Sequence, residues 1–468
     1  MNTQQWPGAT NKHISIIMVS KLFTFTRRQL HTIVSRDIIK PSSPTPSHLK
    51  TYNLSLFDQL AVNAYMPVVA FYPSSSLFQS SHDKTLELKN SLSHTLNQYY
   101  PFAGRFAKSC PTYVNCHDDG VEFIEANNDN QLSDFLHHSD HEDLDQLFPD
   151  DLIWYKSNHN GHNDENESTS PLSVQVNHFS CGGVAVAVSL SHRIADGSSI
   201  FNFLNHWATV TRSRSPEHHD LSHMNPHFLS YKTRDVKLPK NMPDRSQGDY
   251  VTRSFVFPNT KINNLKAKIT SMSMESGEPI LNPTRAEALT WLIHKCAVAA
   301  ASKTNSGILK PTGVGQIMSI RNNLAESLPE TSVGNLYLLM EFPTRDESEL
   351  TPHNIIRELR KRKMEFRGIK NMETALGIVA EVCSDHAAML QTSKRVDDYY
   401  IYTLINRFPT YGIDFGWGKP IKVTVGGVVK NVIIMMNTPN GDGIDALVCL
   451  DRQDMNIIQN DPELLAFC

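Results

Sequence analysis

The sequence predicts a mixed α/β protein built in two halves of similar size, and three observations carry that prediction. The chain has 468 residues, more than one hydrophobic core usually organises, and 40% of them are apolar. Strand-like apolar runs alternate with segments of helical period on both sides of its middle. Between them, residues 213–250 lose all periodicity and collect Pro216, Pro226, Pro239 and Pro243, the composition of a surface connection.

The elements follow in order. Residues 1–36 hold no Asp or Glu but carry Lys12, Lys21, Arg27, Arg28 and Arg36, so residues 1–33 read as a flexible N-terminal extension. Met18 is available there as a second start, and an organellar transit peptide is the competing reading. The first domain is expected over 34–212. It opens with "HTIVSRDII", an edge strand stopped by Pro41, Pro44 and Pro46, which have no N–H for a ladder. Residues 83–99 place Leu86, Leu88, Leu92 and Leu96 at helical spacing, and Pro101 with Gly104 ends that helix. The polar stretch from 137 to 170 reads as a solvated loop, since its His and Asp residues lack the fixed spacing of metal ligands. "LSVQVNHFSCGGVAVAVSLSH" holds two strands around Cys181-Gly182-Gly183, and "SIFNFLNHWATVTR" is a helix packing Ile200, Phe203, Leu204 and Trp207.

Beyond the linker, the second domain is expected over 251–468. "YVTRSFVFP" reads as a strand and "NTKINNLKAKI" as a helix. "NPTRAEALTWLIHKCAVAAA" is a second helix in which Thr284 and Glu287 stand at capping-box offset. "VGQIMSIRNNL" and "PIKVTVGGVVKNVIIMMNTP" read as strands, the latter with a Gly-Gly break.

Composition excludes several classes of function. The 44 basic and 48 acidic residues leave a formal net charge of -4, with no concentrated positive face for nucleic acid. Seven cysteines (110, 116, 181, 296, 383, 449 and 468) are odd in number and scattered, with no CxxC pair, and read as reduced thiols of a cytoplasmic protein. No window approaches 18 consecutive apolar residues, so no membrane partner is expected, and no metal set is apparent.

The densest chemistry lies in "SLSHRIADGSS", residues 189–199. His192 can take a proton near neutrality, and Asp196 follows four residues later. Asp196 has three available jobs: orienting His192, ligating a metal, or pairing with an arginine to hold the loop. A triad would want Ser191, Ser198 or Ser199 as nucleophile, yet the chain has no GxSxG elbow.

A second motif, "DFGWG" at 414–418, stands some 220 residues after the first. Together with "LSHTLNQYYPFAGR" (92–105), "VQVNHFSCGG" (174–183), "NPTRAEALTWLIHKC" (282–296) and "SVGN" (332–335), the pair resembles the BAHD family of plant acyltransferases from about Val34 to Phe467. The resemblance implies two chloramphenicol-acetyltransferase-like domains with a channel between them. It implies a monomer without a tightly bound cofactor, using acyl-CoA as co-substrate and a small-molecule alcohol as acceptor.

His192 would be the general base of a direct transfer. Asp196 would pair with an arginine, for which Arg285 of "NPTRAE" is the matching position, and Gly197 would permit the bend. Asp414, Gly416, Trp417 and Gly418 would form the second motif, usually structural in the family, although the Trp417 indole N–H is also a candidate oxyanion donor. Coenzyme A is expected near Thr252, Arg253 and Ser254, with Gly334 and Asn335 beside its pantetheine arm. One departure stands out: the chain has Met318-Ser319-Ile320-Arg321 where relatives commonly read V-N-x-R, which puts the asparagine's role in doubt. The flanking text is most similar to a branch acting mostly on hydroxylated alkaloids with acetyl-CoA. Malonyl transfer and acetylation of volatile alcohols are the alternatives; Lys419 and Lys422 are candidate partners for a malonyl carboxylate, while Asp414 argues against malonyl transfer.

Overall fold

The computed structural model describes residues 31–74, 80–106, 112–149, 152, 169–213, 221–229, 248–324, 328–378 and 398–468. Residues 1–30 of the expected extension, most of the 213–250 connection, residues 153–168, Cys110 and Cys383 lie outside them, whereas residues 31–33, expected in the extension, pair with residues 126–128 as the start of a strand.

Two six-stranded sheets organise the chain. In the first, the strands run His31–Ile39, Val121–Asn128, Leu172–Phe179, Val184–Ser191, Tyr65–Tyr72 and Lys422–Val425. Its central strands are buried on both faces, which is why they read as continuous apolar runs. Met66, Val68, Ala70 and Tyr72 enter one core with Leu88, Phe203 and Trp207, whereas Val69 and Phe71 enter a smaller one with Phe135 and Phe148. Tyr65 lies opposite Ser191 and Tyr72 opposite Val184, a register that places the two ends of this pair in different chemical surroundings.

The second sheet runs Tyr250–Pro258, Gly443–Asp451, Val432–Asn437, Asp398–Leu404, Thr312–Ser319 and Tyr337–Thr344. Helices Asn259–Glu275, Arg285–Thr304 and Pro352–Arg367 cover it through Ile262, Leu265, Leu292, Ile293, Ile356 and Leu359. The Thr284–Glu287 capping box is present: the Glu287 amide donates to Thr284 Oγ1 at 3.2 Å, and the Thr284 amide to Glu287 Oε2 at 2.8 Å.

Two segments depart from the sequence expectation. The polar stretch expected as a loop from 137 is partly helical: its first two residues end the helix Leu132–His138, and a 3-10 turn follows at His141–Leu147. Leu132, Phe135, Leu144 and Leu147 are buried there, so a few well-spaced apolar residues outweigh the polar majority. The Gly-Gly break at 426–427 separates strands of different sheets. Lys422–Val425 pairs with Tyr65–Tyr72 in the first sheet, and Val432–Asn437 returns to the second. The halves are thereby interlocked, with Ile413, Phe415, Val423 and Val425 inside the first core.

Candidate active site

The strand Val184–Ser191 delivers His192 into a tight turn held by two backbone bonds. The His192 amide donates to Ala64 O at 2.8 Å, and the Ile194 amide to Ser191 O at 3.2 Å. Asp196 then caps the helix Gly197–Arg212: its Oδ1 accepts from the Ser199 amide (3.0 Å) and hydroxyl (2.9 Å). A carboxylate suits this end of a helix, because the unpaired amides there carry partial positive charge.

The arginine partner of Asp196 is Arg321, which corrects the expectation of Arg285. Arg321 grips both carboxylate oxygens, Nη1 to Oδ2 at 2.5 Å and Nη2 to Oδ1 at 2.9 Å, and its Nη2 also reaches Gly334 O at 3.0 Å and Ser332 O at 3.2 Å. Arg285 opens another helix and donates to Asn259 Oδ1 at 3.1 Å. Burial alone would raise the Asp196 carboxyl. The Arg321 guanidinium, with the Ser199 and Leu336 amides, outweighs it and holds the pKa below the usual carboxylate value. The altered V-N-x-R segment therefore keeps its essential member, and the Ser319 hydroxyl accepts the Arg321 amide at 3.3 Å. Gly197 also has a different reason from the one expected. It is the first helical residue, and a Cβ there would stand 2.9 Å from the Phe408 ring, so close packing rather than a bend excludes larger residues.

His192 is held from the opposite half of the chain. Asn335, 1% exposed, donates through Nδ2 to the His192 carbonyl (2.7 Å) and to Asp58 Oδ1 (2.9 Å), and its Oδ1 lies 2.9 Å from His192 Nδ1. Both Nδ2 partners can only accept, so the amide orientation follows; its Oδ1 can only accept, so Nδ1 carries the proton. In the neutral imidazole Nε2 then holds the lone pair. Burial lowers the His192 pKa, opposed by its own backbone carbonyl, the Asp196 charge and the Asn335 bond. Asn335 is thus engaged on the histidine, not open to a pantetheine arm as expected. Gly334 beside it has φ +136, and its carbonyl faces Arg321.

Sequence reasoning missed Asp58. The run Ser55-Leu56-Phe57-Asp58 carries a capping-box signature, and Asp58 does cap its own short helix through Ser55. Its second bond, to a residue 277 positions away, has no local signal.

Two of the serines considered as nucleophiles are committed elsewhere. Ser199 is fully buried on Asp196 and Gly334, and Ser191, 3% exposed at the strand end, accepts the Arg193 amide at 3.4 Å, while Ser198 is half-buried at the start of the helix Gly197–Arg212. The "DFGWG" turn is equally distant from the chemistry. Asp414 Oδ1 accepts the Gly416 and Gly418 amides at 2.8 and 3.0 Å, and its Oδ2 lies 3.6 Å from Arg212. The Trp417 ring packs on Tyr72 at 5.4 Å with Lys84 Nζ 5.3 Å from its centre. Tyr72 and Ser191 mark opposite ends of one strand pair; seven residues at about 3.3 Å each put roughly 23 Å between those ends. That separation removes Trp417 as an oxyanion donor.

The residues expected on coenzyme A form one patch at the sheet edge. Arg253 lies 3.5 Å from Glu142 and 3.6 Å from Asp140, Ser254 Oγ donates to Asp445 at 2.6 Å, and the Thr252 amide donates to Glu142 at 2.9 Å. A phosphate arriving there has to compete with two carboxylates, Asp140 and Glu142, for one guanidinium. Among the described residues, no three His, Cys, Asp or Glu side chains converge as metal ligands, and no helix is long and apolar enough to cross a membrane.

Residues 31–465 match the family described as the Transferase family. The chain belongs to this family, the BAHD acyltransferases. This acyltransferase is 36% identical to akuammiline synthase 1 of Alstonia scholaris over 435 residues, covering 93% of this chain and 97% of the relative. It is 33% identical to deacetylvindoline O-acetyltransferase of Catharanthus roseus over 447 residues, at 93% and 97% coverage. The crystal structure of vinorine synthase superposes with a TM-score of 0.74 at 28% identity, over 93% of this chain and 98% of that one. The expected mixed α/β fold of chloramphenicol-acetyltransferase type is therefore the fold of this enzyme, and acyl transfer from an acyl-CoA its chemistry.

Proposed function

We propose that this enzyme transfers acetyl from acetyl-CoA to a hydroxyl of an alkaloid, of the monoterpene indole type, by direct attack assisted by His192. The observation that carries the reading is the proton arrangement on the imidazole: Asn335 Oδ1, 2.9 Å from Nδ1, keeps the proton on that nitrogen and the lone pair on Nε2.

The steps follow from that tautomer. Nε2 removes the acceptor's hydroxyl proton as its oxygen bonds to the thioester carbon. The tetrahedral intermediate then collapses with cleavage of the C–S bond. The Nε2 proton passes to the departing thiolate, which leaves as coenzyme A, and neutral His192 is restored. Asn335 Oδ1 supports the transient imidazolium through Nδ1–H. With Ser191 and Ser199 buried and bonded within the fold, no acyl-enzyme is invoked.

Support for the acceptor class comes from relatives covering nearly the whole chain, one of them named for acetylating deacetylvindoline. The enzyme is read as a cytoplasmic monomer with no tightly bound cofactor. Thr252, Arg253 and Ser254 are read as the nucleotide contact, with Asp140 and Glu142 displaced from Arg253 on binding. The test is incubation with acetyl-CoA, or malonyl-CoA in parallel, and a panel of indole alkaloid alcohols, following free thiol and product mass. Acetylated product on an alkaloid hydroxyl is expected. Turnover only with volatile alcohols, or only with malonyl-CoA, would overturn the substrate assignment.

A further inference from the structure

We propose that Asp58 is a positioning residue for His192, acting through Asn335 to set both the tautomer and the basicity of the imidazole. This inference rests on the general-base reading above.

Asp58 is fully buried, and four donors converge on its carboxylate. Oδ1 takes the Asn335 backbone amide at 2.8 Å and side-chain amide at 2.9 Å; Oδ2 takes the Ser55 amide at 3.1 Å and hydroxyl at 2.6 Å. The double hold on Asn335 fixes that residue in position and in rotamer. Its amide therefore has one orientation, nitrogen toward the carboxylate and oxygen toward Nδ1–H. Hydrogen bonds aligned in this way polarise one another, so negative charge at Asp58 is felt at His192.

Two carboxylates bear on His192. Asp196 supports its charged form, but shares its own charge with Arg321 in a two-point ion pair. Asp58 has no cation in ion-pair range among the described residues. Tyr337 faces the imidazole edge-on at 5.6 Å between ring centres, and Arg193 follows it in the turn. Burial pushes the Asp58 carboxyl upward, and the Ser55 and Asn335 donors oppose that shift. The arrangement offsets part of the depression that burial imposes on His192, whose pKa stays below its ordinary value.

Asp58→Asn tests the charge while retaining an oxygen that can face Asn335. The readout is an NMR titration of labelled His192 in the enzyme without substrates, alongside the pH profile of kcat/KM. The titration is expected to move down by about half to one pH unit, the acid limb to move with it, and KM for acetyl-CoA to stay unchanged. Ser55→Ala removes the cap and one of the four donors to Asp58, the hydroxyl on Oδ2, but leaves the Oδ1–Asn335 bonds, and is expected to move the His192 titration by less than Asp58→Asn does. Should Asp58→Asn not fold, Asn335→Ala interrupts the same path, and loss of the Nδ1–H tautomer is expected. An unchanged titration and tautomer in folded Asp58→Asn or Asn335→Ala, or a Ser55→Ala shift equal to that of Asp58→Asn, overturns the proposal and leaves Asp58 a helix cap. The base reading fails separately: His192→Ala retaining activity would sink it even if Asp58 still moved the titration.

Discussion

The two motif segments occupy opposite ends of one strand pair, and their chemistry differs as completely as their positions. At the Tyr65–Ser191 end, polar groups are buried and bonds cross between the halves: Asp196 meets Arg321, and Asn335 meets His192. At the Tyr72–Val184 end, the "DFGWG" turn contributes rings and a self-satisfied aspartate, Asp414, whose bonds stay within its own turn and the nearby Arg212. The first end holds the proposed base; the second joins two sheets, delivering Lys422–Val425 to the edge of Tyr65–Tyr72. A motif's recurrence in a family thus says nothing about which of these it does, whereas its place along a strand does.

The largest effect should come from breaking the polar end structurally. Arg321→Ala strands the buried Asp196 without its cation, and a loss of about 3–5 kcal/mol of stability is expected, measured by denaturant unfolding. Next comes the reaction itself. His192→Ala should lower kcat/KM by at least about 100-fold while the protein still folds, with only the modest loss of stability, about 1 kcal/mol, that follows from breaking the Asn335 bond. The pH dependence has a definite sign: a base works only when unprotonated, and burial holds His192 below its ordinary 6.5. The acid limb of kcat/KM should therefore fall below pH 6.5, so that lowering pH through that limb removes activity. Asp414→Asn, at the other end, should leave the limb in place; a shifted limb would mean the two ends are electrostatically coupled.

A smaller effect is expected at the architectural end. Trp417→Phe loses the indole's larger contact with Tyr72 and part of the Lys84 interaction, about 1 kcal/mol of stability, seen as a lower midpoint. Activity per folded molecule should stay within about twofold. A hundredfold fall in kcat with intact folding would return Trp417 to the chemistry and break the comparison.

The sequence made the elements and the base legible for local reasons. His192 stands at the exit of a doubly buried apolar strand and ahead of a helix cap, and both signals lie within a dozen residues. Thr284 and Glu287 were readable as a capping box because the offset is fixed by helix geometry. What escaped is what depends on the meeting of distant segments. Asp58 shows only its cap; its bond to Asn335 exists because two loops from different halves converge. Likewise, the two strands around the Gly-Gly break read alike in apolar pattern, and nothing in that pattern says they belong to different sheets.

Arg285 and Arg321 present the sharpest case, since both are single arginines in recurring motifs and either could have met Asp196 on chemistry alone. Arg321 is bidentate on that carboxylate and also ties down the Ser332 and Gly334 carbonyls, so removing it leaves a buried charge and takes a donor from each carbonyl. Arg285 makes one side-chain bond to Asn259, at the half-buried start of its helix, where Thr284 already caps the first turn. Arg285→Ala should therefore change stability by no more than about 0.5 kcal/mol and leave kcat/KM unaltered, since alanine is also a good helix former. Combined with Arg321→Ala it should add nothing beyond its own small term in a double-mutant cycle. A coupling energy above about 1 kcal/mol between the two positions would mean that Arg285 shares the Asp196 site after all.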